Sequence, residues 1–185
     1  VESRAREFTE RLVEEMRRRR VGDPLDEATD IGPLARIDAR EELHRQVAES
    51  VARGAACVLG GEIPAGRGAF YPPTVLVGVA RGMGARDEEL FGPVAAVSAV
   101  RDEEEAIREA NDTSFGLGAA VFTCDRGRGE RIAADRIDAG SCFVNALVKS
   151  APRLPFGGVK ESGYGRELSH FGIREFVNIK TVSVD

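Results

Sequence analysis

From residue 94 to residue 144 the chain alternates short apolar runs with helix-period segments, and this alternation restricts the fold more than any single motif does. Residues 94–100 form a continuous apolar run. Asp102, with Glu105 three positions on, reads as a helix cap, Ala106, Ile107 and Ala110 share the inward face, and Gly116 closes the turn. Residues 117–122 are the next strand, 126–138 the next helix with Ile132, Ala133 and Ile137 inward, and 141–144 a third strand. Strand, helix, strand, helix, strand at this spacing predicts an α/β fold. It calls for two right-handed crossovers and a mainly parallel sheet, buried on both faces by flanking helices.

Upstream the period is helical. Residues 3–20 put Ala5, Phe8, Leu12, Val13 and Met16 on one face, and 36–53 do the same with Leu43, Val47 and Val51 before Gly54. Strands are predicted at 56–59 and 74–79, separated by a Gly/Pro-rich excursion over 60–73. At 185 residues the chain can bury a sizeable core as one domain.

The segment 145–165 leaves the third strand at its carboxyl end, the edge of a parallel sheet where ligands bind. It holds Gly157, Gly158, Gly163 and Gly165, and such density points to positive φ angles or to backbone pressed against something. Long irregular segments in compact domains commonly serve a site. A second dense cluster runs Glu88-Glu-Leu-Phe-Gly-Pro-Val94. Spacing alone leaves Glu89 as one of three acids on a solvated turn and Phe91 as core. A carboxylate beside an aromatic ring is also sound chemistry for holding a ribose diol and a nicotinamide edge.

Composition removes several function classes. A net charge of −5 gives no basic footprint for nucleic acid, and the run from Arg17 to Arg20 ends an amphipathic helix, where cations suit the negative end of the dipole. No apolar stretch approaches membrane-span length, and no signal peptide is predicted in these residues. Cys57, Cys124 and Cys142 are odd in number and far apart, which predicts reduced thiols in a cytoplasmic protein. Cys57 and Cys142 lie in apolar runs and are expected buried and inert, while Asp125 disfavours a thiolate at Cys124, so no catalytic residue is assigned. His44, expected on a helix surface, and His170, expected in packing, lack metal-site spacing; no metal is predicted. Neither a Gly-x-Gly-x-x-Gly nor a Gly-x-Ser-x-Gly occurs. Asn111-Asp-Thr113 matches a glycosylation sequon but reads as helix C-terminus chemistry.

The two clusters in this order, with Val21-Gly-Asp-Pro-Leu-Asp26, Ile31-Gly-Pro-Leu34, Ala110-Asn-Asp112, Phe115-Gly-Leu-Gly118 and Arg174-Glu-Phe-Val-Asn-Ile-Lys-Thr-Val-Ser183, resemble the C-terminal part of the aldehyde dehydrogenase superfamily. Residues 148–156 and 166–176 look most like its bacterial succinate-semialdehyde dehydrogenases. The resemblance begins after the family's cysteine segment. It implies the last two-fifths of an enzyme in which a thiolate attacks the aldehyde, hydride passes to NAD or NADP, and a glutamate activates water to hydrolyse the thioester. It gives residues 1–176 as a partial catalytic domain and 177–185 as an oligomerisation strand. Glu89 and Phe91 become cofactor-binding at the nicotinamide end; Asn145, Ser150 and Phe156 become substrate-binding, with Lys149 and Arg153 as further partners for a distal carboxylate. By the same resemblance, the contacts that tell NAD from NADP, like the nucleophile and base, are expected in a part of the family sequence N-terminal to the matched residues. The chain alone is therefore expected to be inactive and to bind dinucleotide weakly or not at all. A small aldehyde substrate and a homo-oligomer through the C-terminal strand are the expected partners, with no nucleic acid and no membrane. The alternative is a non-catalytic oligomerisation or interaction module that pairs with itself or with a separate N-terminal polypeptide.

Overall fold

The computed structural model describes residues 1–185, which divide into two compact units, Val1–Glu103 and Glu104–Asp185. No helix is long and apolar enough to cross a membrane.

The first unit contains α1 (Glu2–Arg17), α2 (Ile37–Ala52), β1 (Ala56–Leu59), β2 (Thr74–Val77), α3 (Gly84–Asp87) and β3 (Val94–Val97). Its sheet runs β1-β2-β3, with β1 antiparallel to β2 and β2 parallel to β3. The central strand is the buried one: Thr74, Val75 and Leu76 are fully enclosed. Around Leu76 pack Leu43 and Val47 from α2 with Tyr71, Val79, Met83 and Ala85. On α2 the buried stripe is Leu43, Gln46, Val47 and Ser50, while Val51 is exposed. Helix periodicity holds, but its apolar reading is off by one position, because the two polar members have partners. Ser50 Oγ donates to Gln46 O at 2.7 Å and accepts the Ala85 amide at 2.9 Å, which ties α3 to α2. Helix α1 rests on β1 and β2 with Ala5, Leu12, Val13 and Met16 half-buried. No α1 residue is fully buried, and Phe8 is exposed.

The second unit contains α4 (Glu103–Asn111, starting one residue before the boundary), β4 (Phe115–Gly116), β5 (Gly118–Val121), α5 (Arg126–Asp135), β6 (Ser141–Val144), β7 (Val159–Lys160) and α6 (Ser169–Arg174). Asp125 caps α5, its Oδ1 accepting the Arg128 amide at 2.9 Å. Ile132 and Gly129 face inward, and β5 and β6 pair in parallel from Gly118↔Ser141 to Val121↔Val144. That is one of the two crossovers expected.

The other crossover is corrected. β3 pairs with β2 through a connection carrying α3, whereas β5 pairs with β6 in a separate two-stranded sheet and β4 pairs antiparallel with β7. Helix α4 therefore joins strands of different sheets. The sheets are mixed, with two parallel and two antiparallel pairings, and β5 alternates exposed with half-buried residues rather than being covered on both faces. After Phe176, residues 177–185 form no strand in the single chain, and Ile179, Val182 and Val184 are exposed.

Candidate functional site

In the first unit the Glu89–Phe91 turn follows α3. The Asp87 carboxylate accepts the Gly82 amide at 2.6 Å and holds Arg86 Nη1 at 2.9 Å. The amide bond chiefly, with Arg86 and Arg81 adding to it, keeps this carboxyl below the usual carboxylate range against the opposing effect of burial. From α2, the buried Gln46 amide donates to Glu88 Oε2 at 2.8 Å and to the Glu89 carbonyl at 3.2 Å, and Arg45 reaches Glu88 at 3.3 Å. A Cβ on Gly92 would collide with Leu43 of the same helix, so the turn lies flat against α2. Held from beneath, it leaves the Glu89 carboxylate exposed and without a hydrogen bond. Phe91 is 74% exposed, which excludes a core role for it in this chain. Its ring borders a hollow of about 780 Å³ with Pro33, Leu34, Ala35, Ala39 and Leu90. An exposed carboxylate can accept a diol, and an exposed aromatic residue two positions on, bordering an apolar hollow, can pack against a flat ring.

In the second unit the other predicted residues lie along the segment leaving β6. Asn145 sits directly after the strand at φ +53°, and both ends of its side-chain amide are bonded to the backbone of Thr123 at 2.8 Å. Ser150 is exposed and without a hydrogen bond. Lys149 and Arg153 are exposed as well. Phe156 is half-buried and exchanges two backbone hydrogen bonds with Glu167, at 2.9 and 2.8 Å. It lines a hollow of about 640 Å³ with Leu117, Tyr164, Leu168 and Phe176 as the other large apolar and aromatic side chains and Ser162, Arg166, Glu167 and Glu175 as polar ones. Phe156 and Glu167 thus share a wall of one cavity, whereas Asn145 and Ser150 do not line it.

The glycine cluster is accounted for position by position, Gly158 included, where a Cβ would come within 2.5 Å of the Ser162 side chain. Gly163 and Gly165 take positive φ, and a Cβ on Gly157 would come within 2.6 Å of the Gly165 carbonyl, so two strands of backbone touch where a side chain would stand. Arg166 closes the arrangement, donating from Nη1 to the carbonyls of Gly158 and Gly165 at 2.8 and 2.7 Å.

Three residues that pattern reading passed over hold these segments. Gln46 looks like one more polar residue on an amphipathic helix, and only its place in the i, i+3, i+4 stripe signals burial. Arg166 sits beside the glycines but gives no sign of its carbonyl partners. Lys160, at φ +55°, donates from Nζ to the carbonyls of Asn111 and Thr113 at 2.8 and 3.2 Å and pairs with Asp138 at 3.1 Å. A cation there meets the unsatisfied carbonyls at the C-terminus of α4.

The thiols differ from expectation at one place. Cys57 is exposed, because β1 is an edge strand, and its Sγ donates to the carbonyls of Leu59 and Gly60 at 3.2 and 3.5 Å. Cys124 is exposed; Cys142 is partly covered, and burial pushes its thiol up. His44 is half-buried rather than on the surface, with Nδ1 3.2 Å from the Tyr71 hydroxyl. His170 is exposed and stacks on Phe171, ring centroids 4.2 Å apart. No group of His, Cys, Asp and Glu is arranged to hold a metal ion. Arg17 to Arg20 are each matched by an acid among Glu14, Glu15, Asp26 and Asp30, so the basic run is a solvated, compensated surface.

A model of the aldehyde dehydrogenase family matches residues 1–182. The chain is 51% identical over 178 residues to the succinate semialdehyde dehydrogenase (NAD(P)+) Sad of Escherichia coli, covering 96% of this chain and 38% of that protein. It is 49% identical over 177 residues to succinate-semialdehyde dehydrogenase (NADP(+)) 1 of Mycobacterium ulcerans, again over 96% of this chain and 38% of that one. The crystal structure of succinic semialdehyde dehydrogenase from Streptococcus pyogenes in complex with NADP+ matches with a TM-score of 0.94 at 37% identity, over 98% of this chain and 40% of that chain. The chain spans about two-fifths of the length of these proteins.

Proposed function

The chain belongs to the aldehyde dehydrogenase family, and from that premise we propose that its residues form the C-terminal part of an enzyme that oxidises succinate semialdehyde to the dicarboxylic acid with NAD or NADP. The observation that carries this reading is the Glu89–Phe91 turn, where an open carboxylate and an open ring stand two residues apart on backbone fixed by Gln46. The pair fits a dinucleotide: Glu89 accepts from the nicotinamide ribose diol, and Phe91 packs beside the ring. When bound, the oxidised nicotinamide takes up the hydride. Phe156 lies against the aldehyde, and Ser150, together with Asn145 through the segment it launches, serves the far end of the substrate. A semialdehyde carries a carboxylate there, for which a hydroxyl donor is a suitable partner.

On its own the chain does not turn over aldehyde. Catalysis needs an activated thiolate. The Cys57 thiol donates its hydrogen bonds to backbone carbonyls, burial pushes the Cys142 thiol up, and Cys124 stands beside Asp125, so none is paired with a base or cation. Three free cysteines support a reducing, cytoplasmic setting. Residues 1–176 are read as catalytic-domain structure and 177–185 as a strand that pairs with a neighbouring subunit.

A chimera tests the assignment. Residues 1–182 replace the matching segment of the Escherichia coli relative, and reduced cofactor is followed with succinate semialdehyde and each dinucleotide. Turnover is expected, and it persists when Cys57, Cys124 and Cys142 are all changed to Ser. A folded chimera that oxidises no aldehyde refutes the reading, and so does turnover by the 185-residue chain alone that is lost on changing one of these cysteines.

A further inference from the structure

We propose that Asn145 is a positioning residue for the segment that carries Ser150. This rests on the substrate reading above. The Thr123 amide donates to Asn145 Oδ1 and Asn145 Nδ2 donates to the Thr123 carbonyl, each at 2.8 Å, across 22 residues of sequence. The side-chain amide thus stands in for a peptide group and adds one more pairing beyond the last register pair, Val121↔Val144. The Asn145 main chain meanwhile donates to Val121 O at 2.9 Å and turns away at φ +53°. Of glycine, aspartate and asparagine, only the last meets all of these demands. Glycine takes the left-handed conformation but leaves both Thr123 groups without a partner; aspartate has the shape but lacks the donor; asparagine tolerates the conformation and has both ends.

The surroundings hold this junction firmly. Gly129 of α5 lets the helix press on Thr123 and Val144, since a Cβ there would come within 2.8 Å of each. The far end of the segment is fixed by the two-way bridge between Phe156 and Glu167 and by Ser169 N donating to Pro152 O at 3.0 Å. Between the anchors stands Ser150, exposed and bonded to nothing. Where that hydroxyl stands relative to the Phe156 ring follows from the direction in which Asn145 launches the chain.

Two measurements test this. Hydrogen exchange on the 185-residue chain, comparing wild type with Asn145→Gly and Asn145→Asp, is expected to show faster exchange at the amides of residue 145, Leu154 and Ser169, which donate to Val121, Ala151 and Pro152, while α5 keeps its protection. Unchanged exchange at these three amides in both variants overturns the role. In the chimera, Asn145→Gly is expected to raise KM for succinate semialdehyde about tenfold more than KM for propanal, which has no distal carboxylate, with kcat little changed. The excess should vanish in a Ser150→Ala background, because the two residues act as one unit. Equal shifts for both aldehydes leave Asn145 as a stability residue alone and overturn the substrate role. An unsubstituted chimera inactive on both aldehydes strikes the proposed function instead, and exchange in the isolated chain still decides whether Asn145 holds the segment.

Discussion

The backbone of Gly140 lies so close to that of Gly157 that a Cβ on Gly140 would fall inside the Gly157 carbonyl oxygen. Gly140 also donates its amide to Gly116 O at 2.9 Å, so it cannot retreat without breaking the link to β4. The segment carrying Phe156 therefore passes directly over the turn that enters β6.

Gly140→Ala is accordingly expected to destabilise the protein by about 1–3 kcal/mol, the usual cost of overpacking against backbone that cannot yield. Gly140 has no positive φ, so the loss is steric and not conformational. Gly127 of α5 provides the contrast, since a Cβ there meets only side-chain ends at ordinary contact distance, Arg131 Nη1 at 3.6 Å and Asp125 Oδ1 at 3.7 Å. Gly127→Ala should be neutral or stabilising by up to about 1 kcal/mol. Urea midpoints of the two variants compare them directly, and equal midpoints would remove the steric argument.

Tyr71 leads to a prediction about alkaline pH. Its side chain is fully enclosed, with the hydroxyl 3.2 Å from His44 Nδ1 and 3.5 Å from Gly61 O. Burial first, then the neighbouring Cys57 and Glu62 charges, push its ionisation up to about 12. A phenol whose folded value lies above the unfolded value of about 10 favours the folded state at full strength below that pH. The contribution is lost as pH rises through about 12. Phenolate absorbance should therefore show a late step that coincides with loosening of the 60–73 excursion, and Tyr71→Phe should abolish it. A variant that keeps the late step shows that another group is responsible.

The features that could be read from sequence are those whose causes are local. Asp125 beside Ile132 and Gly129 marks α5, and the short strands on either side of it then pair in parallel as a crossover requires. Gly157 and Gly165 announce close backbone by their density alone. Partner choice is not local. Nothing near residues 94–97 says that they pair with 74–77 while 118–121 pair with 141–144, because the contacts that decide it are made across long separations. Cys57 sits in an apolar run that looks internal until β1 is known to be an edge strand. Gln46 and Ser50 look like surface residues until their partners, Glu88 and the Ala85 amide, arrive from about 40 residues away. In the candidate site the same division holds: the residue types of Glu89, Phe91 and Asn145 are visible in the sequence, and what secures them is not.

The C-terminal tail yields the last prediction. Residues 178–184 alternate Ile179, Thr181 and Ser183 with Lys180, Val182 and Val184, a β-prone pattern following α6. Within one chain this stretch forms no strand, and Ile179 and Val184 are 85% and 91% exposed. An isolated strand has no ladder to satisfy its amides and carbonyls, so it gains order only by joining the edge of an existing sheet. If that edge belongs to another copy, pairing places apolar side chains of the tail against a second sheet and stabilises the assembly by burial as well as by hydrogen bonds. Light scattering on residues 1–185 is then expected to report a dimer or a larger species, and a chain ending at Phe176 should shift toward monomer at the same protein concentration. If both are monomeric, the tail has no role in assembly. If the shortened chain assembles as fully as the intact one, the contact between copies is made by some other surface.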